Sequence, residues 1–134
     1  MRPLRRLTLP VALLALAAPL APHSAVRVSP DDGARARAAL VIRAEFGARL
    51  TPCVLSIARR ETGGTFDPRA ANWTDRHSDG SRGSFGLLQI GALHRRATET
   101  VVTFARRMFI AQENVRLGHV LYRRAGLRPW GGYC

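Results

Sequence analysis

Two cysteines, and only two, occur in this chain of 134 residues: Cys53 in the middle and Cys134 at the very end. If they pair, the C-terminus must lie against whatever element carries Cys53, and every arrangement that sends the tail elsewhere is excluded. Pairing depends on the compartment, since disulfides persist where the surroundings are oxidising. The start of the chain bears on that. Arg2, Arg5 and Arg6 precede an apolar run from Leu7 to Leu20, and small residues and prolines follow to Ala25. This order is that of a secretory signal peptide over residues 1–25, with cleavage after Ala17 or after Ala25. The weaker reading, a permanent anchor, suits the run poorly, because Pro10 and Pro19 interrupt it and about 20 apolar residues are needed to span a bilayer. Export and an even cysteine count together predict a Cys53–Cys134 disulfide, the alternative being two buried free thiols. Closing so long a loop stabilises a small domain by roughly 4 to 5 kcal/mol on the chain-entropy model.

The remaining residues, 26–134, are enough for one domain and too few for two cores. Residues 34 to 50 alternate Ala and Arg around Leu40, Val41, Ala44 and Phe46, which predicts a helix, with Asp31 or Asp32 as its cap. Thr51-Pro52 reads as the start of a second helix, which should stop at Gly63-Gly64. Residues 65 to 84 are rich in Asp, Asn, Gly, Ser and Pro and predict a long loop or a short hairpin. Val101, Phe104, Ala105, Met108 and Phe109 mark a helix over residues 98 to 110. Val115, Gly118, Leu121, Tyr122 and Ala125 mark another over 112 to 125, with Gly126 as its end. The fold class expected is therefore mainly α.

All 21 basic residues are Arg, and against nine acids they make the formal charge +12; loss of Arg2, Arg5 and Arg6 with the leader lowers it to +9. Such a field concentrates polyanions, which outside a cell include anionic wall polymers. The basic residues are scattered along the whole chain and make no concentrated recognition element, so no specific nucleic-acid partner is expected. His23, His77, His94 and His119 show no ligand spacing, and neither a metal nor another cofactor is expected.

One acid stands out. Val54, Ile57, Ala58 and Glu61 fall at i, i+3, i+4 and i+7, so a carboxylate completes an apolar stripe, while Arg59 and Arg60 are expected to point elsewhere. Loss of hydration on a core-facing side and the negative end of the helix dipole both favour the protonated acid, which can donate to a glycosidic oxygen. The plainer alternative is a half-exposed Glu at a frayed end, or one paired with an Arg.

The segments around it carry a resemblance. Ala58-Arg59-Arg60-Glu61-Thr62-Gly63-Gly64, followed by Ser84-Phe85-Gly86-Leu87-Leu88-Gln89-Ile90, resembles the two signature segments of lytic transglycosylases and goose-type lysozymes, in the same order. Leu88 stands where Met is usual. Glu113-Asn114-Val115 with Gly118 and Tyr122 looks like a third segment, a helix that packs beneath the cleft. Together the matches span about residues 53 to 125, and the Ala-Tyr-Asn-Ala-Gly segment of many transglycosylases is missing.

The resemblance implies a lysozyme-like fold and cleavage of the bond between N-acetylmuramic acid and N-acetylglucosamine in peptidoglycan glycan strands. It implies Glu61 as acid/base and Ser84, Phe85 and Gln89 along the cleft, with Leu87 and Ile90 filling core. Asn72-Trp73-Thr74-Asp75 is similar to a loop of goose-type lysozymes, which makes Asp75 the candidate second carboxylate. Its alternative is a loop cap near Arg76. Goose-type enzymes also carry an acid soon after the Gln segment, where this chain has Gly91. Trp73 is expected as a wall of the cleft, Trp130 as packing for the tail, and Tyr122 as a further substrate-contacting residue. The enzyme is expected to be exported and to act as a monomer. The rival class is a cationic wall-binding or membrane-active protein that kept the fold without the chemistry.

Overall fold

The computed structural model describes residues 29–134; the leader read at residues 1–25 lies outside the described residues. Helix α1 runs Pro30–Glu61, and its cap is Ser29, whose hydroxyl accepts the Asp31 N–H at 3.3 Å. Asp31 and Asp32 sit in its first turn, where they face the positive end of the dipole rather than capping it.

The break expected at Thr51-Pro52 falls four residues earlier, at Gly47. There φ is 77° and ψ 165°, a conformation that only glycine adopts without steric cost, and helical geometry resumes after it. The Thr51 hydroxyl donates to the Gly47 carbonyl at 2.8 Å, so the threonine closes the bend from inside the new helix. Pro52 lies a turn beyond the bend, where its ring fits helical φ.

The buried residues of the first half are Ala38, Ile42 and Phe46, one every four positions, while Leu40 is 70% exposed. The apolar face is thus narrower than, and rotated from, the one read in the sequence. At the other end α1 stops as expected. Gly63 N–H bonds Arg60 O at 3.3 Å and Gly64 N–H bonds Arg59 O at 2.7 Å, the paired 5→2 and 6→1 bonds of a Schellman motif.

The polar stretch after α1 is a hairpin. Strand β1, Ala71–Arg76, pairs antiparallel with β2, Arg82–Phe85, and β2 pairs with β3, Ile90–Gly91, giving the order β1-β2-β3. Asn72 lies opposite Ser84 and Arg76 opposite Arg82, with an irregularity between them. At that irregularity the Asn72 side chain accepts both the N–H and the hydroxyl of Thr74. The two-residue β3 leaves no signal in the sequence, being too short for any periodicity.

A 3-10 turn over Ala92–His94 leads to α2, Val101–Met108, which Thr100 caps by accepting the Thr103 N–H at 3.1 Å. Helix α3, Ala111–Ala125, ends at Gly126, and a 3-10 turn over Arg128–Trp130 begins the tail. The second half of α1, the sheet, α2 and α3 enclose a core of Val54, Ile57, Phe85, Leu88, Phe104, Met108 and Val115, each at most 2% exposed. Among the described residues no helix is long and apolar enough to cross a membrane. The described residues are mainly α, three helices around a small antiparallel sheet. Cys53 and Cys134 are joined, with their Cα atoms 5.0 Å apart across 81 residues of sequence.

Candidate functional site

The end of α1, the sheet, the Ala92–His94 turn and the tail surround a cleft of about 640 Å³. Glu61, Asp75, Ser84 and Gln89 all line it. Residues 28 positions apart are brought together because the Schellman turn reverses the chain after Glu61 and the hairpin returns it.

Glu61 reaches this place as the last residue of α1. Thr62 anchors the helix end beneath it: the Thr62 hydroxyl donates to Ala58 O at 2.7 Å and accepts the Phe66 N–H at 2.9 Å. The carboxylate is not in the dry setting read from the sequence. Its side chain is 26% exposed, and Oε1 accepts from Arg60 Nε at 3.3 Å. Arg60, expected to point away, is itself a cleft residue. Neighbouring positions on a helix do not face one another, so nothing in the spacing signalled this pair.

Gln89 is one of two residues other than glycine with positive φ among the described residues, at 45°. Backbone strain of this kind persists only where the surroundings over-determine it, and it concentrates at binding and active sites. Here the side chain contributes to that determination: Nε2 donates to Ala70 O at 3.0 Å and to Gly86 O at 2.9 Å. Both amide hydrogens are thereby used by the backbone. The carbonyl oxygen is left for a ligand, so Gln89 offers an acceptor rather than both kinds of group.

Buried Asn114 on α3 holds the same turn from below, accepting the Leu88 N–H at 2.9 Å and donating to Phe85 O at 2.8 Å. Gly86 packs so tightly there that a Cβ would overlap Met108 O and the Asn114 amide. Close approach of backbone to α3, not of backbone to ligand, is what requires glycine at this position.

Asp75 takes the Ser84 hydroxyl on Oδ2 at 2.5 Å. This cross-strand bond places the carboxylate on the cleft wall and replaces the loop-cap role considered beside Arg76. Gly91 also touches the cleft, and a Cβ on it would come within 2.5 Å of His77 Cε1. His77 therefore occupies the space that any side chain at position 91 would need. The imidazole is oriented by its Nε2, 2.9 Å from Gly83 O.

His94 shares that end of the cleft. Burial pushes its imidazolium below the ordinary range, the charges of His77 and Arg124 act in the same direction, and Asp79 opposes them. Neither histidine is legible as a site residue in the sequence, since an isolated His outside a regular helix or strand gives no spacing signal.

Three expected substrate residues lie elsewhere. Phe85 is fully buried, at the centre of edge-to-face contacts with Trp73, Phe104 and Phe109, because its position on β2 points it under the sheet. Trp73 is 51% exposed and leans on Phe85 at 4.6 Å between ring centroids, outside the cleft lining. Tyr122 packs against Phe46 and His119 where α3 meets α1. Trp130 does pack the tail, as expected: it is buried, and its Nε1 donates to Leu88 O at 2.9 Å. It also contributes to the cleft lining. Leu87 and Ile90 fill core. Among the described residues no group of three His, Cys, Asp or Glu could hold a metal ion.

No family model matches the chain, and neither a curated protein nor a solved structure is matched by it.

Proposed function

We propose that this chain is an exported, lysozyme-like enzyme that cleaves the β-1,4 bond between N-acetylmuramic acid and N-acetylglucosamine in peptidoglycan, acting as a lytic transglycosylase. The observation that carries the reading is the meeting of Glu61 with the Gln89 turn in one open cleft large enough for sugar rings. A site of this class needs a proton donor, polar groups that fix the sugar's orientation, and a groove open at its ends. Glu61 supplies the first and the Gln89 carbonyl the second.

In the reaction, Glu61 protonates the oxygen leaving the muramyl C1 as that bond breaks. The resulting carboxylate then takes the proton of the muramyl 6-hydroxyl while its oxygen bonds to C1, giving a 1,6-anhydro sugar. No second carboxylate is required. Protein positive charge draws the enzyme to the anionic wall.

A hydrolytic variant of the same reaction is favoured by one observation, the presence of Asp75 in the same cleft. A water held by that carboxylate would attack C1 and give a reducing end. Against it stands the Ser84 hydroxyl already bonded to Asp75, and the His77 ring where goose-type enzymes have a further acid.

Mass spectrometry of digested sacculi separates the two products. Glu61→Gln should lower turnover by at least about a hundredfold, the scale of a lost general acid, with the melting temperature retained. Binding to sacculi with no fragments released by the parent protein, and no effect of Glu61→Gln, would instead identify a wall-binding protein without chemistry.

A further inference from the structure

The tail that ends at Cys134 does more than close a loop. It is held at several points: by the link to Cys53, by the Ser56 hydroxyl donating to Cys134 O at 3.0 Å, and by the buried indole of Trp130. Arg60 lies across this tail. Its Nη2 donates to Trp130 O at 2.7 Å, and its Cζ stands 4.8 Å from the centre of the Tyr133 ring. With these contacts made, Nε is turned to Glu61 Oε1.

Helix geometry does not produce that last contact, because side chains at i and i+1 diverge by about 100° around the axis. A guanidinium can make it while anchored elsewhere, since its donors form a rigid planar fork. An ammonium is a single point and cannot hold both partners in fixed relation.

We propose that Arg60 is a positioning residue, fixed by the disulfide-tied tail, that holds the Glu61 carboxylate toward the cleft. The Cys53–Cys134 link is then part of the apparatus that aims the acid, in addition to stabilising the fold. The inference rests on the reading of Glu61 as the reacting acid. Releasing the tail lets Arg60 and Glu61 move independently, and a displacement on the order of 1 Å at a reacting group can lower the rate by up to about a hundredfold.

The test compares the exported chain with Arg60→Gln, Arg60→Lys and Tyr133→Leu on purified peptidoglycan, measuring kcat, KM and melting temperature. Arg60→Gln should lower kcat about tenfold with KM within about twofold, and Arg60→Lys should recover little of the loss, as expected when position rather than charge matters. Tyr133→Leu, which leaves the cleft lining intact, should lower kcat by a smaller factor in the same pattern. A kcat within about twofold of the parent in Arg60→Gln would overturn the proposal, as would full recovery by Arg60→Lys. Should Arg60→Gln not fold, Tyr133→Leu decides by the same measure.

A second readout is independent of turnover. The Arg60 Nε–Hε proton should exchange slowly with solvent in the parent protein by NMR, and quickly after Cys53→Ala with Cys134→Ala or after Glu61→Ala. Slow exchange persisting in the cysteine-free protein would overturn the role of the tail. If the parent cleaves nothing, the proposed function falls, and this exchange experiment still decides whether the tail holds Arg60 on Glu61.

Discussion

Asn114 accepts the Leu88 N–H at 2.9 Å from 26 residues away, and it is completely buried while doing so. Through that bond and its donation to Phe85 O, helix α3 sets the shape of the turn that carries Gln89 into the cleft. Replacing Asn114 by Ala strands a buried N–H and a buried carbonyl, each worth about 1 to 3 kcal/mol. Denaturant unfolding of Asn114→Ala should show a loss in that range or above it. Asn114→Asp keeps the acceptor for Leu88 but sets a buried carboxylate oxygen against Phe85 O, and near neutral pH it should lose at least as much.

Gly86 offers a second, steric test of the same turn. With φ at 80°, an added methyl group is in unfavourable backbone territory and also overlaps Met108 O, a backbone atom at the end of α2. Gly86→Ala should cost roughly 2 to 5 kcal/mol of stability, read as a lower denaturation midpoint. A midpoint unchanged from the parent would mean the turn adjusts freely.

Glu99 binds Arg107 through both carboxylate oxygens, at 2.7 and 2.8 Å, and accepts the Arg96 N–H as well. The Arg107 bonds, with the Arg96 N–H, hold its carboxyl down at about 2, against 4.5 ordinarily. A depressed folded value means that the pair contributes fully above the unfolded value and that its contribution disappears as pH falls through the folded one. Melting temperature measured from pH 4.5 to pH 2 should therefore decline less steeply in Glu99→Gln than in the parent.

His94 acts in the opposite part of the pH scale. Its imidazolium is disfavoured in the folded protein by burial, with the charges of His77 and Arg124 adding to the effect and Asp79 opposing it. The unfolded chain thus takes up a proton first, so stability is complete above the ordinary value of 6.5 and falls as the solution is acidified below it. His94→Asn should flatten the stability profile just below that pH. An unaltered profile would show that His94 does not contribute to it.

Much of the local structure was written in short-range chemistry. The Gly63-Gly64 stop needs only a helix and two residues that accept positive φ, and the Val54, Ile57, Ala58, Glu61 stripe needs only 3.6-residue periodicity. Cysteine count and the exported-leader pattern were enough to predict that Cys53 and Cys134 join. Thr51-Pro52 suggests a bend because proline fits the first turn of a helix, whereas Gly47 is what takes the backbone through a conformation closed to other residues.

By itself the sequence determined a mainly α chain with a polar loop or hairpin region, a tail tied to Cys53 and a carboxylate at the end of an apolar helix stripe. Tertiary structure alone decided which side chains share the cleft. It buried Phe85, sent Trp73 and Tyr122 to other faces, and brought in His77, His94 and Arg60. The physical reason is that helix and strand periodicity sort residues by face, while the identity of what lies across a cleft depends on bonds between distant segments, such as Trp130 to Leu88 and Trp130 to Arg60. No local pattern encodes those contacts.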